Sequence, residues 1–299
     1  MSGEIAGITH EYIRVNGIRL HYVHGGKNRA RPIMLAHGLF ETWRMWRYVL
    51  PALMENHYVV APDMRGYGES DKPPLEVMDK GKQARDFFEL AQQLELGKFL
   101  LYGHDRGGRA ARRYGLDYPE TLLGLALLDI LPTEYIYQEM PSSTVGPHHW
   151  DQLFKLASPI SEQLMASKDN IELYIRHFYN RSEGFLDLLQ SDGTWQHYYQ
   201  AITQPGAMLS VLYDYRAAFN VDVPRLRGEL NRGVTIDVPT LILWGEQGNL
   251  SRSPAMDIWE IRCSNVEGAE IPCGHYLPEE APEIVLDHML RFADECFAD

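Results

Sequence analysis

Short, unbroken apolar runs recur along the chain, and polar stretches with helical spacing separate them. The runs are Pro32-Ile33-Met34-Leu35-Ala36, His57-Tyr58-Val59-Val60-Ala61-Pro62, Lys98-Phe99-Leu100-Leu101-Tyr102, Leu123-Gly124-Leu125-Ala126-Leu127-Leu128, Thr240-Leu241-Ile242-Leu243-Trp244-Gly245 and Val266-Glu267-Gly268-Ala269-Glu270-Ile271. A strand with one wet face alternates apolar and polar residues; a continuous run predicts a strand covered on both faces, as in a parallel sheet between helices. Ahead of them, Tyr12–Val15 and Ile18–Val23 flank Asn16-Gly17, the pair that suits a two-residue hairpin turn. The alternation of strand and helix breaks between about residue 131 and residue 222, where Tyr, Trp, His and Met accumulate without a buried strand. That interval is expected to be a helical cap over the strand ends, with residues 1–130 and 223–299 forming one α/β core.

The third run ends in Gly103-His104-Asp105-Arg106-Gly107-Gly108 and is followed by a helical stretch. Strand, Gly-x-nucleophile-x-Gly and helix describe a tight elbow that lifts the central side chain above the sheet edge. Here that side chain is Asp105. A carboxylate is already ionised near neutral pH and needs no base before it attacks. It suits a saturated carbon bearing a leaving group, and the product is an alkyl ester that a second step must hydrolyse.

For that second step, His275 in Cys273-Gly274-His275-Tyr276-Leu277-Pro278 follows the last strand and lies on a loop at the same sheet edge. Two acids compete to orient it: Asp129, at the end of the strand after the elbow strand, and Glu246, after the strand ending at Gly245. Placement at a strand end favours Asp129. The loop His37-Gly38-Leu39-Phe40 is expected to lie beside the elbow, so that backbone N–H groups of Leu39 and Arg106 form an oxyanion hole. Gly38 there favours close backbone approach to a ligand.

Arg106 and Arg109 stand three apart at the start of the elbow helix and share a face. Both are expected to grip a substrate carboxylate, whereas Arg112 and Arg113 are expected to be solvated. An anionic substrate near Asp105 needs such help: two like charges 4 Å apart repel by about 4 kcal/mol at an effective dielectric of 20.

The net charge of −13 argues against nucleic acid and anionic membrane as partners. No apolar run is long enough for a membrane span, and no signal peptide is visible. Cys263, Cys273 and Cys296 have no metal-ligand spacing, so no metal is expected, and their odd count suits reduced thiols in the cytoplasm. For a departing halide, the cap supplies donors in His148-His149-Trp150 and Tyr213-Asp214-Tyr215-Arg216-Ala217, and spacing does not choose among them.

The elbow with its two arginines, Asp63-Met64-Arg65-Gly66-Tyr67-Gly68-Glu69-Ser70, His149-Trp150, Asp214-Tyr215-Arg216-Ala217 and Cys273–Pro282 together resemble the haloacetate, especially fluoroacetate, dehalogenases of the α/β-hydrolase fold. The resemblance implies that fold, with a mostly parallel central sheet and an inserted helical cap, and hydrolytic dehalogenation of short 2-haloacids without a cofactor. It implies Asp105 as nucleophile, His275 as base and Asp129 as its partner. Arg106 and Arg109 would hold the substrate carboxylate, with His149, Trp150 and Tyr215 around the halide. It is also compatible with a homodimer. One departure is Phe40, where relatives carry proline; if their bond is cis, a non-proline cis bond here would cost about 2.5–4 kcal/mol, so the loop is expected to run differently. The rivals are an epoxide hydrolase with the same aspartyl ester, disfavoured because Arg106 replaces that group's usual tryptophan, and a ligand-binding homologue without activity.

Overall fold

The computed structural model describes residues 5–140, 150–248, 250–251 and 253–298. Strands β1 (Ile8–Val15) and β2 (Ile18–Gly25) pair antiparallel, with Asn16 and Gly17 at the tip in left-handed conformations, φ 44° and 81°. Six further strands are β3 (Pro32–Ala36), β4 (Tyr58–Pro62), β5 (Phe99–His104), β6 (Leu122–Leu128), β7 (Thr240–Gly245) and β8 (Val266–Ile271). They run parallel to one another in a single sheet of order β1-β2-β4-β3-β5-β6-β7-β8, joined to the hairpin by the antiparallel pair β2 and β4. Each apolar run of the sequence coincides with one of these strands to within two residues. Every residue of β3, β4 and β5 is buried, which is why their apolar pattern is continuous.

Helices α1 (Leu50–Asn56), α2 (Lys80–Gln93) and α3 (Asp105–Asp117) belong to the first half of the sheet. Residues 105–115 of α3 are all buried, so this helix has no wet face despite its four arginines. Leu100, Leu101 and Leu127 are fully buried beside it. Truncating any one of them to alanine removes about 2–5 kcal/mol.

From β6 to β7 the described residues form helices and no long strand: α4 (Thr133–Glu139), α5 (Trp150–Leu156), α6 (Ile160–Leu164), α7 (Lys168–Tyr179), α8 (Phe185–Ser191), α9 (Thr194–Ile202), α10 (Ala207–Ala217) and α11 (Val223–Asn231). A wide helical turn over Ala218–Asp222 joins α10 to α11, so the boundary expected after residue 222 falls inside a continuous helical path. The chain closes with α12 (Ala255–Glu260), α13 (Leu277–Glu280) and α14 (Pro282–Ala298). No described helix is long and apolar enough to cross a membrane.

The strand order positions the site. From β3 the chain moves outward to β4, and from β4 it crosses back to β5 on the other flank of β3. Loops leaving the carboxyl ends of β3 and β5 therefore diverge, opening the crevice in which such sheets place ligands. Those two loops carry Leu39 and Asp105.

Candidate active site

Asp105 follows β5 directly and opens α3, with φ 40°, a left-handed conformation strained for a residue with a side chain. The surrounding backbone holds it there. The Gly107 N–H donates to His37 O at 2.9 Å, and a Cβ on Gly107 would lie 2.4 Å from that oxygen, so only glycine lets the elbow close on the β3 loop. From that loop, the Leu39 N–H donates to Asp105 Oδ2 at 3.2 Å. Arg106 is the second residue of α3, where a backbone N–H has no acceptor within the helix. Gly38 makes its close approach to Glu41 and His104, whose Oε2 and Nδ1 would lie 2.5 Å from an added Cβ.

Phe40 resolves its own departure by a route closed to proline. The Leu39–Phe40 peptide is trans and Phe40 takes φ 63°. Its carbonyl accepts from Tyr179 Oη at 2.9 Å, and its ring packs on Tyr174 and Phe178. The loop still delivers Leu39 to Asp105. Since proline fixes φ near −65°, Phe40→Pro is expected to cost about 3 kcal/mol or more, read as a fall of several degrees in the unfolding midpoint.

His275 Nδ1 lies 2.6 Å from Asp129 Oδ2, and Asp129 Oδ1 accepts the Gly245 N–H at 3.1 Å. Asp129 is 1% exposed and also left-handed, φ 47°. Glu246, the competing acid, is exposed to solvent. His275 Nε2 stands 3.9 Å from Asp105 Oδ2, too far for a direct hydrogen bond. Behind them, His104 Nε2 donates to His275 O at 2.8 Å while its Nδ1 meets the buried carboxylate of Glu41 at 3.1 Å, which ties the histidine loop to the elbow. Burial disfavours the charged ring of His275, but Asp105 and Asp129 outweigh it and raise its pKa to about 10. Burial likewise opposes ionisation of Asp105, yet His275, Arg109 and His104 hold its pKa well below the usual carboxylate range. In the resting site, therefore, an imidazolium sits between two carboxylates.

Asp105, Asp129 and His275 open into one cavity with Leu39, Arg109 and Tyr215. Within it, about 40 Å³ is open to the centre of a water-sized sphere, room for only a few atoms. The Arg109 Nη1 donates to Leu131 O and to Thr133 Oγ1, each at 2.8 Å, and its Nε has no partner among the described residues. Burial keeps the Tyr215 phenol protonated, with a pKa well above its usual value, so it can donate a hydrogen bond.

Three expectations are placed differently. Arg106 does not line this cavity: its Nε donates to Asp214 Oδ2 at 2.6 Å and its guanidinium lies 4.1 Å from the centre of the Tyr215 ring. A buried carboxylate has captured it, and α10 supplies that carboxylate. Trp150 is 45% exposed, packs against Phe154, Tyr174 and His177, and does not line this cavity. Arg112 and Arg113, expected in solvent, are 6% and 4% exposed and ion-paired. His149 lies outside the described residues.

The sequence reading also missed cavity residues. Asp151, Gln152, Phe178 and Arg181 line it from the cap. Asp151 pairs with Lys155 at 2.5 Å, and the Lys155 ammonium sits 3.8 Å above the Tyr215 ring. Only Asp151 carried a signal, as an acid beginning a helix within the aromatic segment; Arg181 had none.

A family model for the alpha/beta hydrolase fold matches residues 31–282. The soluble epoxide hydrolase of Corynebacterium sp. (strain C12) is 33% identical over 95% of this chain and 97% of its own length. The fluoroacetate dehalogenase of Burkholderia sp is 30% identical, covering 93% of this chain and 91% of its own. Among solved structures, ALR0039 from Nostoc sp PCC 7120 aligns with a TM-score of 0.88 at 30% identity, over 97% of this chain and 99% of that one. With its elbow, its histidine and its sheet order in place, the chain belongs to the α/β-hydrolase fold family.

Proposed function

We propose that this hydrolase acts on short 2-haloacids, haloacetate foremost, through an ester of Asp105. The observation that carries the reading is Arg109. Its buried guanidinium borders the same small cavity as the nucleophile, and its hydrogen bonds on the described side go to neutral oxygens. A substrate carboxylate would meet an uncommitted Nε there, in the charge-assisted geometry that guanidinium favours. Arg109 alone then takes the role the sequence divided between Arg109 and Arg106. Arg106 adds positive potential from behind the Tyr215 ring.

In the first step an Asp105 oxygen forms a bond to the carbon next to the carboxylate as the carbon–halogen bond breaks and halide departs. The phenol of Tyr215 faces the cavity as a donor for the developing charge. In the second step water attacks the Asp105 carbonyl carbon, its proton passes to His275 Nε2, and Asp129 holds the ring through Nδ1. Leu39 N–H steadies the oxygen that becomes negative. On collapse the protonated His275 ring returns its proton to the departing alkoxide, the hydroxy acid leaves, and the remaining water proton passes to solvent as the Asp105 carboxylate is restored.

One observation favours an epoxide hydrolase instead: the protonated Tyr215 phenol also suits donation to an opening epoxide oxygen, and a relative of that name shares 33% of its residues. Parallel assays with chloroacetate, fluoroacetate and a neutral epoxide separate the two. Halide release is expected, and Arg109→Leu is expected to raise KM for haloacetate by about 10–100-fold, the loss of a charge-assisted pair of about 1.5–3 kcal/mol. Diol formed from the epoxide with no halide release would reverse the reading.

A further inference from the structure

Arg109 also borders a second and smaller cavity. Five cations line it: Lys80, Arg109, Arg112, Arg113 and Arg225. In a chain of net charge −13 this concentration is unusual, and the neighbouring acids do not balance it. Glu134 is shared between Arg112 and Arg262, and Asp214 between Lys80 and Arg106. Asp117 and Glu229 are both shared by Arg113 and Arg225. Arg109 hydrogen-bonds Leu131 O and Thr133 Oγ1. The one acid on the wall, Asp222, turns its carboxylate onto the Lys80 N–H at 3.1 and 3.2 Å, and burial pushes its pKa up to about 7. Of the arginines that line it, Arg112 has a buried Nε with no acceptor among the described residues. Buried donors of that kind are rarely left unsatisfied.

We propose that this cavity binds one small monovalent anion, chloride from solution, held by Arg112 and Arg225. The space open to the centre of a water-sized sphere is about 10 Å³, which suits a monatomic ion and not phosphate or a carboxylate. The ion supplies the charge that the shared acids lack and an acceptor for the Arg112 guanidinium. It does not depend on what Asp105 attacks. Arg225, whose side chain is 40% exposed, stands at the rim.

Crystals of the whole protein soaked in sodium bromide and measured at the bromine absorption edge test the site directly. An anomalous peak is expected within about 3.5 Å of the Arg112 or Arg225 nitrogens. In solution, the unfolding midpoint is expected to rise saturably with sodium chloride over sodium gluconate at equal ionic strength, by roughly 4 °C at a hundredfold excess over Kd. Arg225→Gln is expected to shrink that rise at least twofold and to leave turnover in gluconate unchanged. A cavity without bromide, a peak only beside Asp105, or equal midpoints in the two salts would overturn the proposal. So would a chloride response in Arg225→Gln as large as in the parent.

Discussion

With His275→Gln the enzyme is expected to stop halfway: one equivalent of halide released per site, then an ester left on Asp105. The first step asks nothing of the imidazole as a base, because Asp105 attacks as a carboxylate, and in the variant Arg109 and His104 still favour its ionised form. The second step asks everything of it. Glutamine keeps polarity and approximate volume but cannot take a proton from water, so steady turnover is expected to fall by about 10⁴–10⁶-fold. Intact mass after exposure to chloroacetate should show one carboxymethyl group, and peptide mapping should put it on Asp105. Halide release continuing at the parent rate without an adduct would sink the two-step scheme.

The same geometry fixes a pH dependence. In the resting site burial opposes the His275 charge while Asp105 and Asp129 raise its pKa to about 10. Alkylation turns Asp105 into a neutral ester and removes one of those two attractions, so the pKa of His275 falls in the intermediate. Only the neutral ring can act as base. Ester hydrolysis in a single turnover is thus expected to quicken with rising pH and then level off, whereas ester formation stays flat to below the ordinary range of an aspartate, because the Asp105 carboxyl is held well below it. Hydrolysis unchanged across pH 5–9 would assign the base to another group.

Asp105→Ala is expected to abolish turnover by a comparable factor and to show no burst of halide. The substitution also leaves alanine at φ 40°, so the unfolding midpoint must be recorded beside the rate. A stronger form of the test follows the oxygen. Parent enzyme taken through one turnover in heavy-oxygen water should yield hydroxy acid with unlabelled oxygen, and the label should appear in the Asp105 carboxylate. Product carrying the solvent label in that first cycle would mean that water struck the carbon directly.

The features that the sequence made legible are those that chain-local physics decides. The apolar runs become buried strands because no other element hides every residue of a short segment. The elbow needs glycine at Gly107, and that need is visible in the motif. Asp129 was separable from Glu246 because one ends a buried strand and the other follows its neighbour into solvent. What stayed hidden were choices of partner. Arg106 and Arg109 share a helix face, yet one is taken by Asp214, 108 residues later in the chain, and the other is not. Arg112 and Arg113 are dry because α4 and α11 bring Glu134 and Glu229 over α3. Trp150 does not line the cavity although its neighbour Asp151 does. None of these follows from spacing, since each depends on how a cap helix is set down on the core.

The groups assigned to bond making all come from the sheet rim: Leu39, Asp105, Asp129 and His275. The remaining walls come mostly from one uninterrupted insertion between β6 and β7, through Ile136, Asp151, Gln152, Phe178, Arg181 and Tyr215. Under the proposed reading, bond making belongs to the core, and substrate choice is divided between Arg109 on α3 and the insertion. On that reading, exchanging the insertion is expected to alter substrate choice while the ester chemistry stays with the core. The seam to respect is Leu131 and Thr133, where the first turn of the insertion anchors Arg109.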